Sequence, residues 1–150
     1  MLLKRAERRY RLKTSDYARL AAFRAAVREF LRFSEDAAAQ AGLTAQHYQV
    51  MLILRANAEG TSVSINDVAH QLFIKHNSAV GLVDRLVREG LVARESSKED
   101  RRKVELRLSA RGRQVLAKLA GMHRRELERI GPLLQRLVAD VFRIDSSDKE

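Results

Sequence analysis

Four cations crowd one short stretch of this 150-residue chain: Lys98, Arg101, Arg102 and Lys103, with Asp100 set among them. Such groups bind polyanions, because each phosphate they neutralise releases condensed counterions. Arg101 and Arg102 suit the narrow minor groove of an A·T-rich duplex, whose strong negative potential attracts planar, weakly hydrated guanidinium groups. Asp100 is out of place as a contact to a polyanion. Beside arginine it makes sense as a brace, fixing a neighbouring side chain through a charge-assisted hydrogen bond. The competing reading is a solvated charged loop.

A second set lies about twenty residues upstream. Lys75, His76, Asn77 and Ser78, with Gly81 and Arg85 one and two turns on, are predicted on the opening turns of a helix. An α-helix fits the major groove of duplex DNA and shows the side chains of its first turns to base edges. Asn77 and His76 are suitable base readers, and Ser78 serves base or phosphate. Arg85 is a phosphate ligand unless it pairs with Asp84 or Glu89. Gly81 permits close packing or a close backbone approach, and Arg88 reads as solvated.

The elements that position these residues follow from periodicity. Gly90 stops a helix, Leu91 to Glu95 reads as a short strand, and Val104, Leu106 and Leu108 alternate with Glu105 and Arg107 as in a half-buried strand. The cations therefore occupy the tip of a β-hairpin. Upstream, Ser64 and Asp67 form a capping box for a short helix that buries Val68, Ala69 and Leu72. A turn at Phe73 to Asn77 leads into the next helix, about Asn77 to Glu89, with Val80, Val83, Leu86 and Val87 inward. Thr44 caps a preceding helix that is predicted to bury Tyr48, Met51, Leu52 and Leu54. Because His47 stands where Glu or Gln completes a capping box, a one-sided cap is expected.

Long amphipathic helices flank this unit. One starts near Asp16 and runs out near Gly42, with Leu20, Phe23, Val27, Phe30 and Leu31 at helical spacing. The other is capped by Ser109, carries Val115, Leu116, Leu119, Met122 and Leu127, and is predicted to break at Gly131-Pro132. A last helix then holds a stripe of Leu133, Leu134, Leu137, Val138, Val141 and Phe142. Apolar stripes that the compact unit is too small to cover predict a homodimer.

Composition supports this outline. The net charge is +10; residues 1–32 hold ten basic and three acidic side chains, residues 33–73 one and four, and residues 74–113 eleven and six. Charge thus concentrates in an N-terminal arm and in the helix–hairpin unit, as a nucleic-acid partner requires. Hydrophobic residues at 45% with a single proline argue for a folded chain. The absence of cysteine excludes disulfides, Cys-ligated zinc and thiol redox sensing. No apolar run approaches the ~20 residues of a membrane span, and the basic N-terminus lacks an apolar signal core, so no membrane association and a cytoplasmic location are expected. Nucleotide loops, nucleophile motifs and paired acids are missing, so no enzyme and no cofactor are predicted. His47, His70, His76 and His123 are scattered without ligand spacing, so no metal is predicted either.

The stretch Asp100 to Gly112 resembles the wing signature of the MarR family, roughly D-x-R-x-x-x-L-x-L-(S/T)-x-x-G, and Val83 to Val92 is similar to the end of that family's recognition helix. The likeness covers about residues 16–143. It implies a mainly α fold: a winged helix-turn-helix with a small β-hairpin wing, and long N- and C-terminal helices forming a dimerisation region. One domain is expected over 1–150, with a basic arm at 1–15, dimerisation helices at 16–43 and 109–143, and a DNA-binding lobe at 44–108. The resemblance also implies a homodimeric transcriptional regulator, usually a repressor, on a pseudo-palindromic double-stranded operator. Asp100 would steady the wing and Arg102 would reach the minor groove. A small aromatic or phenolic effector would release DNA, with Phe30, His47, Tyr48 and Met51 as pocket candidates. Those four also read as ordinary core or helix-surface residues. Two other readings stand beside it: a basic architectural DNA-binding protein without a strict operator, and a winged-helix protein-interaction module.

Overall fold

A computed structural model describes residues 12–143. Most of the basic arm expected at 1–15, and the tail after residue 143, lie outside them. The elements run α1 (Thr14–Ala39), α2 (Ala45–Ala56), α3 (Ile65–Gln71), α4 (His76–Arg88), β1 (Val92–Ser96), β2 (Val104–Leu108) and α5 (Ala110–Phe142). They divide into two units: a lobe of residues 34–124, and a helical unit whose described parts are residues 12–33 and 125–143.

The lobe is built around one apolar cluster. Val50, Met51 and Leu54 of α2 meet Val68 of α3, Val83 and Leu86 of α4, and Leu91, Val92 and Leu106 of the hairpin; Leu116 and Leu119 of α5 complete it. Leu52, expected inside, is 38% exposed, whereas Val50 is fully buried. Helix ends are closed by local chemistry. Ser64 Oγ accepts from Asp67 N while Asp67 Oδ2 accepts from Ser64 N, which is the expected capping box. These bonds from Ser64 hold the Asp67 carboxyl below its ordinary pKa. At Thr44 the box is also complete, contrary to expectation. His47 Nδ1 accepts from Thr44 N at 3.0 Å, so an unprotonated ring nitrogen does the work of a Glu or Gln oxygen.

The hairpin pairs antiparallel, from Val92 with Leu108 to Ser96 with Val104. Its first strand starts one residue later than expected. The alternation is broken in an informative way: Val104 is 50% exposed near the tip, while Glu105 is only 8% exposed. Glu105 is tolerated because its carboxylate accepts hydrogen bonds from the Ser97 and Ser62 hydroxyls and faces Arg107, and together these hold its pKa down despite desolvation. Leu106 N donates to Val63 O, fastening the free edge of β2 to the lobe.

In the helical unit, α1 opens at Thr14, two residues before Asp16, whose carboxylate accepts from Lys13 N at 2.8 Å. Helix α5 runs unbroken through Gly131 and Pro132, so the expected break is absent. Proline removes one N–H from the ladder, and the bonds on either side carry the helix past it. Arg129 donates to Glu126 at 2.7 Å and to Glu29 at 3.1 Å, linking the two chain segments of this unit and lowering the Glu126 pKa. Ala26 and Ile130 are its buried apolar residues, whereas Tyr17, Leu31, Leu127, Leu133, Val138 and Phe142 are exposed. Among the described residues no helix is long and apolar enough to cross a membrane.

Candidate nucleic-acid interface

The hairpin tip is organised by backbone and side-chain bonds together. Ser97 N donates to Lys103 O at 2.8 Å and Lys103 N to Asp100 O at 2.9 Å, which closes the tip. Ser97 is buried; its hydroxyl accepts from the Glu99 and Asp100 N–H groups and donates toward Glu105. Asp100 Oδ1 accepts from Arg102 N at 3.0 Å and from Arg102 Nε at 3.4 Å. The Arg102 side chain is nevertheless 93% exposed. The acid therefore holds the arginine at its backbone N–H and at Nε, while the rest of the side chain stands in solvent. Lys98, Arg101 and Lys103 are exposed around it.

Sequence reasoning missed Ser97 and Glu105, which hold the tip in shape. A buried acid one residue inside an alternating strand carries no distinctive signal. It also missed Arg94, whose guanidinium pairs with Asp84 and so connects β1 to α4. Arg107 bridges Glu95 and Glu105 at 3.2 Å each.

Helix α4 begins at His76, one residue before the expected start, with Lys75 as an N-cap that makes no side-chain cap bond. His76 Nδ1–H donates to Asn66 Oδ1 at 2.7 Å, because that oxygen only accepts; in the neutral ring Nε2 is then an acceptor. Lys75, Asn77 and Ser78 are exposed. A Cβ added at Gly81 would meet nothing within 4 Å, so packing within the chain does not require glycine there. Arg85 Nε lies 3.1 Å from Glu89 Oε1, the expected alternative to a phosphate contact.

The four residues considered for an effector pocket are placed as follows. Met51 is fully buried in the cluster, and Tyr48 stacks on His123 with ring centroids 4.0 Å apart. His123 Nδ1–H donates to Leu119 O at 2.8 Å, while Nε2 is 2.8 Å from Ser34 Oγ. His47 completes the α2 cap; burial first and the Arg85 charge second lower its pKa, against an opposing effect of Glu35. Phe30 belongs to the helical unit. Two clefts in the lobe have linings that do not include these four. One, of about 220 Å³ beside the hairpin root, includes Arg55, Val63, Leu106 and Arg113; the other, of about 250 Å³, includes Gln40, Arg111, Lys118 and Met122. No group of three or more His, Asp or Glu able to hold a metal occurs among the described residues.

Two helices joined by a tight turn and followed by a basic hairpin define a winged helix-turn-helix protein. The model of the MarR family matches residues 41–103. The HTH-type transcriptional regulator FarR of Neisseria gonorrhoeae is 33% identical over 76 residues, 51% of this chain and 50% of FarR. The chain thus spans about half the length, or less, of the curated relatives it matches. Among solved structures, a mutant of S. aureus MepR superposes with a TM-score of 0.72 at 18% identity, covering 91% of this chain and 98% of that one. The S. aureus MepR–DNA complex gives 0.64 at 18% identity, covering 83% and 92%. The likeness to the MarR family model is thus confined to residues 41–103, within a fold shared with MepR.

Proposed function

We propose that this protein is a sequence-specific double-stranded DNA-binding transcriptional regulator. The observation that carries this reading is the braced Arg102: a hairpin tip fixed by Ser97 and Asp100 that leaves its guanidinium in solvent. A merely solvated loop has no need of such an anchor. The Arg94–Asp84 ion pair adds support, since it joins the strand leading to that tip to the helix bearing Asn77 and Ser78. In this reading the opening turn of α4 enters a major groove, where Asn77 and the Nε2 acceptor of His76 face base edges, and Lys75 and Ser78 face phosphates. The wing places Arg102 in the flanking minor groove, with Lys98, Arg101 and Lys103 on the backbone.

The finer parts of the proposal are a homodimer on a pseudo-palindromic operator and relief of repression by a small aromatic effector. The exposed apolar residues of the helical unit support the first. The second has the family's habit behind it and, in the lobe, clefts of a size that admits a single ring. MepR, a protein of the same fold, has been solved bound to DNA.

Selection of bound duplexes from a random pool tests the reading. A two-fold symmetric winner is expected, with half-site centres about 10–10.5 bp or a multiple apart. Asn77→Ala is expected to cost about 1–3 kcal/mol on that winner and little on random DNA. Failure to enrich any sequence, with a steep salt dependence, would favour an architectural DNA binder instead.

A further inference from the structure

Three helices end within the lobe in the same hydrogen-bond pattern. After α1, Gly42 N donates to Ala39 O and Leu43 N to Ala38 O; after α4, Gly90 N donates to Val87 O and Leu91 N to Leu86 O. After α3, Phe73 N donates to His70 O and Ile74 N to Ala69 O. This pair of bonds forms when the residue beyond the helix cap adopts a left-handed conformation, which glycine reaches without a Cβ penalty. At two of the three ends that residue is glycine, with φ of +69°. At the third it is Phe73, with φ of +53°. A bulky residue in this region is a conformational outlier. Phe73 gains nothing for the fold in return, since it is 95% exposed. The residues on either side, Leu72 and Ile74, are the ones that pack against the core.

An aromatic residue held in strain and turned into water is accounted for by what it meets when a partner binds. Its place in the chain narrows the choice. Phe73 precedes His76, the first residue of α4, by three positions, and His70, Lys75, His76 and Asn77 around it in sequence are all exposed and polar. A lone apolar ring in such a setting is too small for a protein-docking patch. The one exposed apolar group that a major groove offers is the C5-methyl of thymine.

We infer that Phe73 is a specificity-determining residue that reads a thymine methyl beside the base edges facing Asn77 and His76. The inference rests on the regulator reading above and adds to it a requirement at the operator: a thymine in each half-site, recognised through its methyl and not through a hydrogen bond.

The test uses the full chain and the duplex chosen by random-pool selection. Each thymine is replaced in turn by uracil, which removes only the methyl, and Kd is measured at fixed salt. At one position per half-site wild type is expected to lose about fourfold in affinity, the ratio corresponding to ~0.8 kcal/mol for one methyl-sized apolar contact. Phe73→Gly is expected to melt at the same temperature as wild type or higher, because strain is relieved. It should also bind the thymine duplex more weakly and be indifferent to uracil at that position. Full affinity in Phe73→Gly would overturn the inference while leaving the regulator reading intact, and so would a loss that keeps the wild-type sensitivity to uracil. A fall in sedimenting mass with the affinity would overturn it too, by assigning Phe73 to contact between copies. If wild type enriches no duplex at all, the regulator reading fails and this inference with it.

Discussion

The lobe and the helical unit are made from similar amphipathic helices, yet they satisfy them differently. In the lobe, residues from four helices and the hairpin bury one another, and even Glu105 and His123 find partners inside. In the helical unit Ala26 and Ile130 are buried, while Leu31, Leu127, Leu133 and Phe142 stay exposed, Phe142 at 68%. Apolar side chains contribute to stability by leaving water, at roughly 25 cal/mol per Å². The contrast teaches that the lobe draws its stability from its own chain, whereas much of the helical unit's apolar surface remains available to a second copy.

The sharpest way to break that comparison is to damage each region separately. In the lobe, Gly112 sits so close to the hairpin root that a Cβ there would lie 2.0 Å from Leu91 O, a backbone atom unable to move aside cheaply. Gly112→Ala is therefore expected to cost more than about 3 kcal/mol in urea unfolding, at the upper end of overpacking effects. An unchanged midpoint would show that the helix–hairpin junction is loose. In the helical unit, Leu133→Asp is expected to leave the lobe's stability within about 0.5 kcal/mol, as for other exposed sites. It should weaken self-association by roughly tenfold or more in sedimentation, as loss of an interface anchor does. Collapse of the lobe in this variant would refute the proposed division of labour.

A smaller effect sharpens the account of the lobe itself. His47 caps α2 through an unprotonated Nδ1, and its pKa is lowered from 6.5 chiefly by burial and then by Arg85. As pH falls below about 6.5, the unfolded chain takes up a proton that the folded lobe still refuses, so stability declines until the depressed folded pKa is passed. The decline is expected to be less than about 1 kcal/mol, the worth of one cap, further reduced by solvent screening. His47→Gln should keep the cap and lose this component in denaturation curves at pH 7 and pH 5.5. An identical pH dependence in the variant would assign the cap's strength to Thr44 alone.

Much of the candidate surface's local structure was legible in the residues. Ser64 with Asp67, and Gly90 after a periodic helix, announce their elements because capping is local and needs only neighbours in the chain. Asp100 and Arg102 were likewise readable as a pair, being two residues apart. What escaped depended on distant segments. The inversion of Val104 and Glu105 follows from Ser62 and Ser97 arriving to satisfy a carboxylate. The full box at Thr44 follows from a ring nitrogen standing in for a carboxylate or amide oxygen. Helix α5 passes Pro132 because one missing hydrogen bond does not outweigh the rest of a 33-residue helix.

The sequence alone determined the order of helices and hairpin, the charge on the wing and the likeness to a family, since periodicity, caps and composition act over a few residues. Only the tertiary structure decided which polar groups are buried and satisfied, which arginines are spent on Glu89, Asp84 or Glu95, and that Phe73 occupies a glycine's conformation facing water. The physical reason is that desolvation and pairing depend on which segments meet in space, and that choice is made by the whole chain at once.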